Sequence, residues 1–397
     1  MEKKSNGVYP VFLAFLCMGF GDVVGPMVAL AKESFGLSNF MAQLLPLSGF
    51  LMFGILSVPM GVFQARRGKK VTLVLGLAIA CIGLLLPILG GMYGMSVEDF
   101  QTDKDFKYYL ILLSVLLLGA GATIMQVSGN PIMRDVSAEG RFSSNLSLAQ
   151  SIKAIGSSLG FLLPPFFIWA FGLDWTILFP IYAVVLLITC LWMRSTKVNE
   201  GEKTDAVSLS SCFALLKKGY VLLMVLGIFL YVGAECCMNS GVPLLLAEKF
   251  NFSAEREGLL ISWSLFFLPV LVGRFVGAAV LRKMSANRFL LITVLLSLVG
   301  VLLVFSGNMV STMAGVILVG LGFANIFPLI FSITVDKMPQ YSNELSGLMI
   351  TAILGGAIVP LFWGYVADSF SSTIMAFAVP LVCLVYILLL SLRVQKD

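Results

Sequence analysis

Apolar runs long enough to cross a lipid bilayer recur twelve times between Val8 and Leu392, and this repetition limits the possible folds more than any single motif. Hydrocarbon offers no water to backbone N–H and C=O groups, so a chain made of such runs folds as a bundle of helices. The cores fall at 8–31, 40–64, 71–93, 108–133, 145–170 and 174–193, then at 219–246, 255–281, 288–306, 310–335, 342–368 and 371–392. Only 12% of residues are charged, against about 25% in a soluble domain, so little of the chain is built to face water. The expected fold is an all-α membrane protein of twelve transmembrane helices. Lys3 and Lys4 precede the first run, which continues past Asp22 without a small-residue cleavage site and reads as a retained spanning helix.

The polar stretch 193–220 divides the chain into an N-terminal six-helix bundle (1–193), a cytoplasmic linker (194–218) and a C-terminal six-helix bundle (219–397). The halves look like repeats. Gly61–Lys70 (GVFQARRGKK) and Gly277–Arg288 (GAAVLRKMSANR) follow equivalent helices, and Asn145–Phe167 and Asn343–Phe362 share a polar start, a central glycine cluster and a later proline. Two pseudo-symmetric six-helix halves are a secondary-transporter architecture, with the substrate site expected near the midplane. Basic residues cluster in the loops on the side of the termini and linker. The opposite side has only Lys32, Lys104, Lys107, Lys249 and Arg256. This imbalance predicts cytoplasmic termini and a multi-pass protein of the inner (plasma) membrane.

The net charge of +5 is spread along loops and forms no basic stripe, which argues against a nucleic-acid partner. Six of the seven cysteines lie in apolar segments, without disulfide or metal-ligand spacing. The chain has no histidine, so any proton relay must use carboxylates. Gly119-Ala120-Gly121 lacks the strand–turn–helix setting and Lys-Ser/Thr pair of a phosphate loop, so gradients rather than ATP are expected to drive uphill movement. No cofactor, metal or enzymatic nucleophile–base pair is expected.

The loop GVFQARRGKK resembles the signature after the second helix of the major facilitator superfamily, with Ala65 where that signature has Asp. One inter-helix charge contact is therefore expected to be missing. Asn130-Pro131, Asn145–Gln150 (NLSLAQ), Tyr231–Glu235 (YVGAE), Phe327–Ser332 (FPLIFS), Ser346–Met349 (SGLM) and Gly355-Gly356 resemble the fucose permease branch. That branch contains proton-coupled fucose and bacterial glucose/galactose transporters. The resemblance implies that Asp22 is the coupling carboxylate of the first helix and that Glu235 is the seventh-helix glutamate of the glucose/galactose type. The chain departs from the fucose pattern at Gly19-Phe20-Gly21, at Gln126 in place of a glutamate, and at Lys153 in place of an asparagine.

Charges at membrane depth are expensive, about 2.5–3.5 kcal/mol each on insertion scales, and usually mark a pathway. Four lie well inside apolar segments: Asp22, Lys153, Glu235 and Arg274. Asp22 and Glu235 are the candidate cation-coupling residues. Three readings of Lys153 stay open: an ion pair with Asp22 or Glu235, a docking charge for an anionic sugar, or a helix-packing charge. Arg274 reads as a cytoplasmic gating residue with Arg66 and Arg67. Gln126 and Asn130 share a helix face, as do Glu235 and Asn239. With Gln150, Lys153 and Asn325 they are expected to contact substrate, and Trp263 with Phe266 and Phe267 to form an aromatic plate for a sugar's C–H face.

The function expected from these readings is import of a monosaccharide by proton-coupled symport with alternating access. Alternatives are an acidic sugar (sialic acid or uronate) bound through Lys153, Na⁺ coupling, or a non-transporting sensor or scaffold marked by a large soluble extension. The expected partners are the sugar, H⁺ (or Na⁺) and membrane lipid, with the protein a monomer.

Overall fold

The structure, a computed structural model, describes residues 8–94, 102–137, 142–198, 200, 209–253, 257–281 and 283–395. Residues 199 and 201–208 of the expected linker, and the basic positions Lys3, Lys4, Arg141, Lys203, Arg256, Arg282 and Lys396, lie outside the described residues. Among the described residues, twelve helices are long and apolar enough to cross a membrane: α1 Val8–Phe35, α2 Asn39–Arg67, α3 Lys69–Leu89, α4 Lys104–Met133, α5 Leu148–Phe171, α6 Trp175–Ser195, α7 Gly219–Phe250, α8 Leu259–Gly277, α9 Ala286–Val304, α10 Met309–Lys337, α11 Gly347–Ser369 and α12 Thr373–Val394. Each overlaps one expected span. A short helix, Leu209–Leu215, precedes α7.

Packing groups the chain into two compact units. The first comprises Met1–Val24 with Leu51–Leu209, the second Gly25–Phe50 with Ser210–Asp397. In the second unit, Ser38 caps the first turn of α2 by accepting from the Met41 N–H at 3.1 Å. The carboxylate of Asp368 at the end of α11 accepts from the Asn39 N–H at 2.9 Å, the Asn39 Nδ2 at 2.8 Å and the Phe40 N–H at 2.8 Å. A carboxylate on these free donors is favoured both as a hydrogen-bond acceptor and by the positive end of the helix dipole. Gln43 and Ser240 hydrogen-bond side chain to side chain one turn further along, at 3.1 Å.

The sequence repeat reappears as repeated packing. In the first unit a Cβ on Gly156 of α5 would collide with the Leu16 carbonyl of α1, and one on Gly19 with the Lys153 carbonyl. In the second, a Cβ on Gly355 of α11 would collide with the Phe229 carbonyl of α7. The pair Gly76 and Gly121 joins α3 to α4, and Gly300 and Gly315 join α9 to α10 in the same manner. Small residues let backbones approach closely where lipid removes the hydrophobic drive for helix association.

Three of the irregular turns in the spanning helices, in α1, α8 and α10, lie next to prolines. Pro26 has no N–H to offer the Asp22 carbonyl, and α1 tightens into a 3₁₀ turn over Phe20–Val23. Pro269 follows a π turn over Trp263–Phe267 in α8. Pro328 leaves the Ala324 carbonyl without its helical donor, and α10 breaks between Phe323 and Ile326. Broken or bulged spanning helices recur where membrane proteins bind ligands.

Candidate functional site

In the first unit the 3₁₀ turn of α1 carries Asp22, and the close approach at Gly19 and Gly156 brings α5 against it. The Ser157 hydroxyl donates to Asp22 Oδ2 at 2.7 Å, and Lys153 Nζ lies 3.8 Å from the same oxygen. Lys153 also donates to Gln126 Oε1 of α4 at 3.4 Å. Asp22 and Lys153 keep 39% and 23% of their side-chain exposure, so the pair is accessible rather than sealed in the core. Asn130, one turn beyond Gln126, and Gln150, one turn before Lys153, are both half-buried. The structure thus joins Asp22, Lys153 and Gln126 in one chain of polar contacts and adds Ser157, which sequence reasoning missed. The available signal was its spacing of four residues from Lys153, which puts both on one helix face.

In the second unit, Tyr231 and Glu235 lie one turn apart on α7. The Tyr231 hydroxyl donates at 2.9 Å to the Phe323 carbonyl, at the break in α10. Glu235 sits beside the same hydroxyl, and Arg274 of α8 lies within electrostatic reach of that hydroxyl. One turn beyond Glu235, the Oδ1 of Asn239 is buried and accepts no hydrogen bond among the described residues; the same holds for the Trp263 Nε1 donor. Leaving such a group unpaired costs about 1–3 kcal/mol, so each of these two atoms calls for a partner from outside the described protein groups, a water or a ligand. Phe266 is buried and meets Phe323 edge-on at 6.0 Å.

Asn325 has a different environment from the other amides. It is buried in the α10 break, its Nδ2 donates at 2.8 Å to the Gly273 carbonyl of α8, and its side chain fills the space a Cβ on Gly277 would need. This amide ties α8 to α10.

Arg66 and Arg67 are exposed in the last turn of α2. The following loop is organised by other groups of the first unit. Lys69 Nζ pairs with Asp135 at 2.6 Å, and Lys70 Nζ donates to the Arg194 carbonyl at 2.9 Å. Glu200 accepts from the backbone N–H groups of Lys69 and Lys70, both at 2.9 Å. Ala65 brings no carboxylate to this loop, and Glu200 does so from beyond α6.

Residues 11–353 match the Major Facilitator Superfamily. A glucose/galactose transporter of Brucella abortus biovar 1 (strain 9-941) is 27% identical over 391 residues, covering 94% of this chain and 90% of its own length. The L-fucose-proton symporter of Escherichia coli (strain K12) is 21% identical over 407 residues, covering 94% and 88%. Among solved structures, the fucose transporter FucP in the outward conformation superposes with a TM-score of 0.67 at 18% identity, over 99% of this chain and all (100%) of its own. The nucleoside transporter NupG gives 0.75 at 14% identity, over 98% and 99%. Sharing this fold with carriers of such different solutes leaves the substrate to be argued from side chains. With the family match spanning most of its length, this twelve-helix chain belongs to the Major Facilitator Superfamily.

Proposed function

We propose that this chain is a secondary active transporter that imports a monosaccharide together with a proton, by alternating access of the bundles 1–193 and 219–397 joined through the linker 194–218. The observation that carries the reading is the Asp22 carboxylate in a proline-induced turn of α1, partly accessible, with a hydroxyl donor at 2.7 Å and an ammonium at 3.8 Å. A carboxylate at membrane depth, held between a neutral donor and a cation, has alternative partners in its protonated and ionised states. Proton coupling requires that property.

The sugar relatives in glucose/galactose and fucose transport support the substrate class. So does the chemistry of the α7–α8 cluster, with Glu235, the orphan Asn239 Oδ1 and the orphan Trp263 Nε1 supplying acceptors and a donor for hydroxyl groups. Gln126, Asn130 and Gln150 add amides from α4 and α5. The distribution of lysine and arginine supports a plasma-membrane orientation with both termini cytoplasmic.

Uptake into liposomes containing the purified protein tests the reading, across a panel of neutral and acidic sugars with imposed pH gradients and with Na⁺ replaced by choline. Accumulation driven by the pH gradient and indifferent to choline is expected. Failure of every sugar overturns the substrate class, and dependence on Na⁺ overturns the coupling ion.

A further inference from the structure

We infer that the transported sugar is an acidic one, whose carboxylate is bound by Lys153 and moves with one proton held on Asp22, so that a cycle carries no net charge. The inference rests on the sugar–proton reading above and names its substrate class.

The first observation is the poor coordination of Lys153. An ammonium has three donors, and charge-assisted hydrogen bonds to oxygen ordinarily close to about 2.7–2.9 Å. Lys69 does so on Asp135, at 2.6 Å. Among the described residues, Lys153 has only the Asp22 carboxylate at 3.8 Å and the Gln126 amide oxygen at 3.4 Å. The short bond to Asp22 is taken by Ser157 instead. A cation within a spanning helix, partly exposed and held by two long contacts, retains donors for a ligand.

Charge balance is the second. Among the described residues, Lys153 and Ser157 of α5 contact Asp22, and the uncharged Gln126 of α4 joins the set through Lys153; behind the turn, Tyr182 of α6 stacks its buried ring on Phe20 at 4.0 Å. Asp22 is the carboxylic acid of this set, because an amide at 126 does not take up a proton at physiological pH. The ionised pair Asp22–Lys153 sums to zero. A proton on Asp22 leaves Lys153 without a counter-charge at membrane depth, an expensive state. A sugar carboxylate restores the balance, while a neutral sugar leaves a net positive charge throughout the loaded step. Proton and carboxylate therefore favour each other's binding, and equal opposite charges enter and leave together.

The test uses the full-length protein in liposomes with an inward pH gradient, with or without a negative-inside K⁺/valinomycin potential. The probes are glucuronate and N-acetylneuraminate against glucose and galactose. The expected result is uptake of an acidic sugar at a rate the potential does not change. Replacing Lys153→Asn should weaken its apparent affinity about 100-fold, the scale of removing a charged hydrogen-bonding partner. Proton-driven entry of neutral sugars alone, accelerated by the potential, overturns the inference and leaves the sugar–proton reading intact. Acidic-sugar uptake that moves net charge also overturns it. Exclusion of both classes overturns both readings. The potential dependence is measured on the unmodified protein, so it decides the question even if Lys153→Asn fails to fold.

Discussion

The Ser157 hydroxyl donates to Asp22 Oδ2 at 2.7 Å from one turn beyond Lys153, so one face of α5 presents both a hydroxyl and an ammonium to a single carboxylate oxygen. The two donors differ in what they tolerate. A hydroxyl can also accept from a protonated acid, whereas an ammonium cannot. Ser157 can therefore stay with Asp22 through a change of protonation, while Lys153 is released.

Ser157→Ala should reduce proton-driven uptake about tenfold, the scale of one charge-assisted hydrogen bond, while Ser157→Thr retains most activity. Initial uptake rates at fixed protein density in liposomes give the comparison. Equal rates for Ser157→Ala and the unmodified protein would remove this hydroxyl from the coupling site.

The amides of the second unit should separate into ligand-facing and structural groups. Asn239→Ala and Trp263→Phe each delete a buried polar atom, Oδ1 and Nε1, that has no protein partner among the described residues, so melting temperature should hold while sugar affinity falls about tenfold. Asn325→Ala deletes the bond to the Gly273 carbonyl and empties a buried site, and should lower the melting temperature in detergent. Tryptophan-fluorescence melting and ligand titration measure the two effects.

Asp368→Ala should loosen the start of α2. Three donors at 2.8–2.9 Å lose their acceptor, at a cost of about 1–2 kcal/mol for a helix cap. Hydrogen exchange at Asn39 and Phe40 should accelerate, with α3 and α9 unchanged.

The helix contacts make a paired prediction about glycine. Gly19→Ala places a methyl group on the Lys153 carbonyl and should cost about 1–3 kcal/mol of stability. Gly61→Ala, in the interior of α2 with nothing within 4 Å of the added carbon, should be neutral or stabilising. Thermal melts of the two variants side by side check both.

The spans were legible because hydrophobic length is a local property, and the repeat was legible in part because Gly156 and Gly355 mark close backbone contacts that both halves use. The contacts of Lys153 were legible only in part: its ion pair with Asp22 was one of three readings that the sequence left open. Spacing along α5 gives its face but not which helix packs there, and Gly19 and Gly156 settle that only in three dimensions. Ser157 escaped notice because a serine in a helix ordinarily bonds the carbonyl one turn back, as it also does with Lys153 O at 3.1 Å. Asn325 read as a sugar ligand because composition does not distinguish an amide serving a ligand from one serving a neighbouring backbone. Glu200 lies in a polar linker where nothing local predicts its docking on the N–H groups of α3.

The central claim, that Asp22 carries the coupled proton, is tested most directly by sugar-induced proton uptake. Adding transported sugar to de-energised proteoliposomes in a weakly buffered medium should make the medium alkaline. The Asp22→Asn variant should abolish that signal while still exchanging labelled for unlabelled sugar. An alkaline shift of normal size with Asp22→Asn would contradict the account.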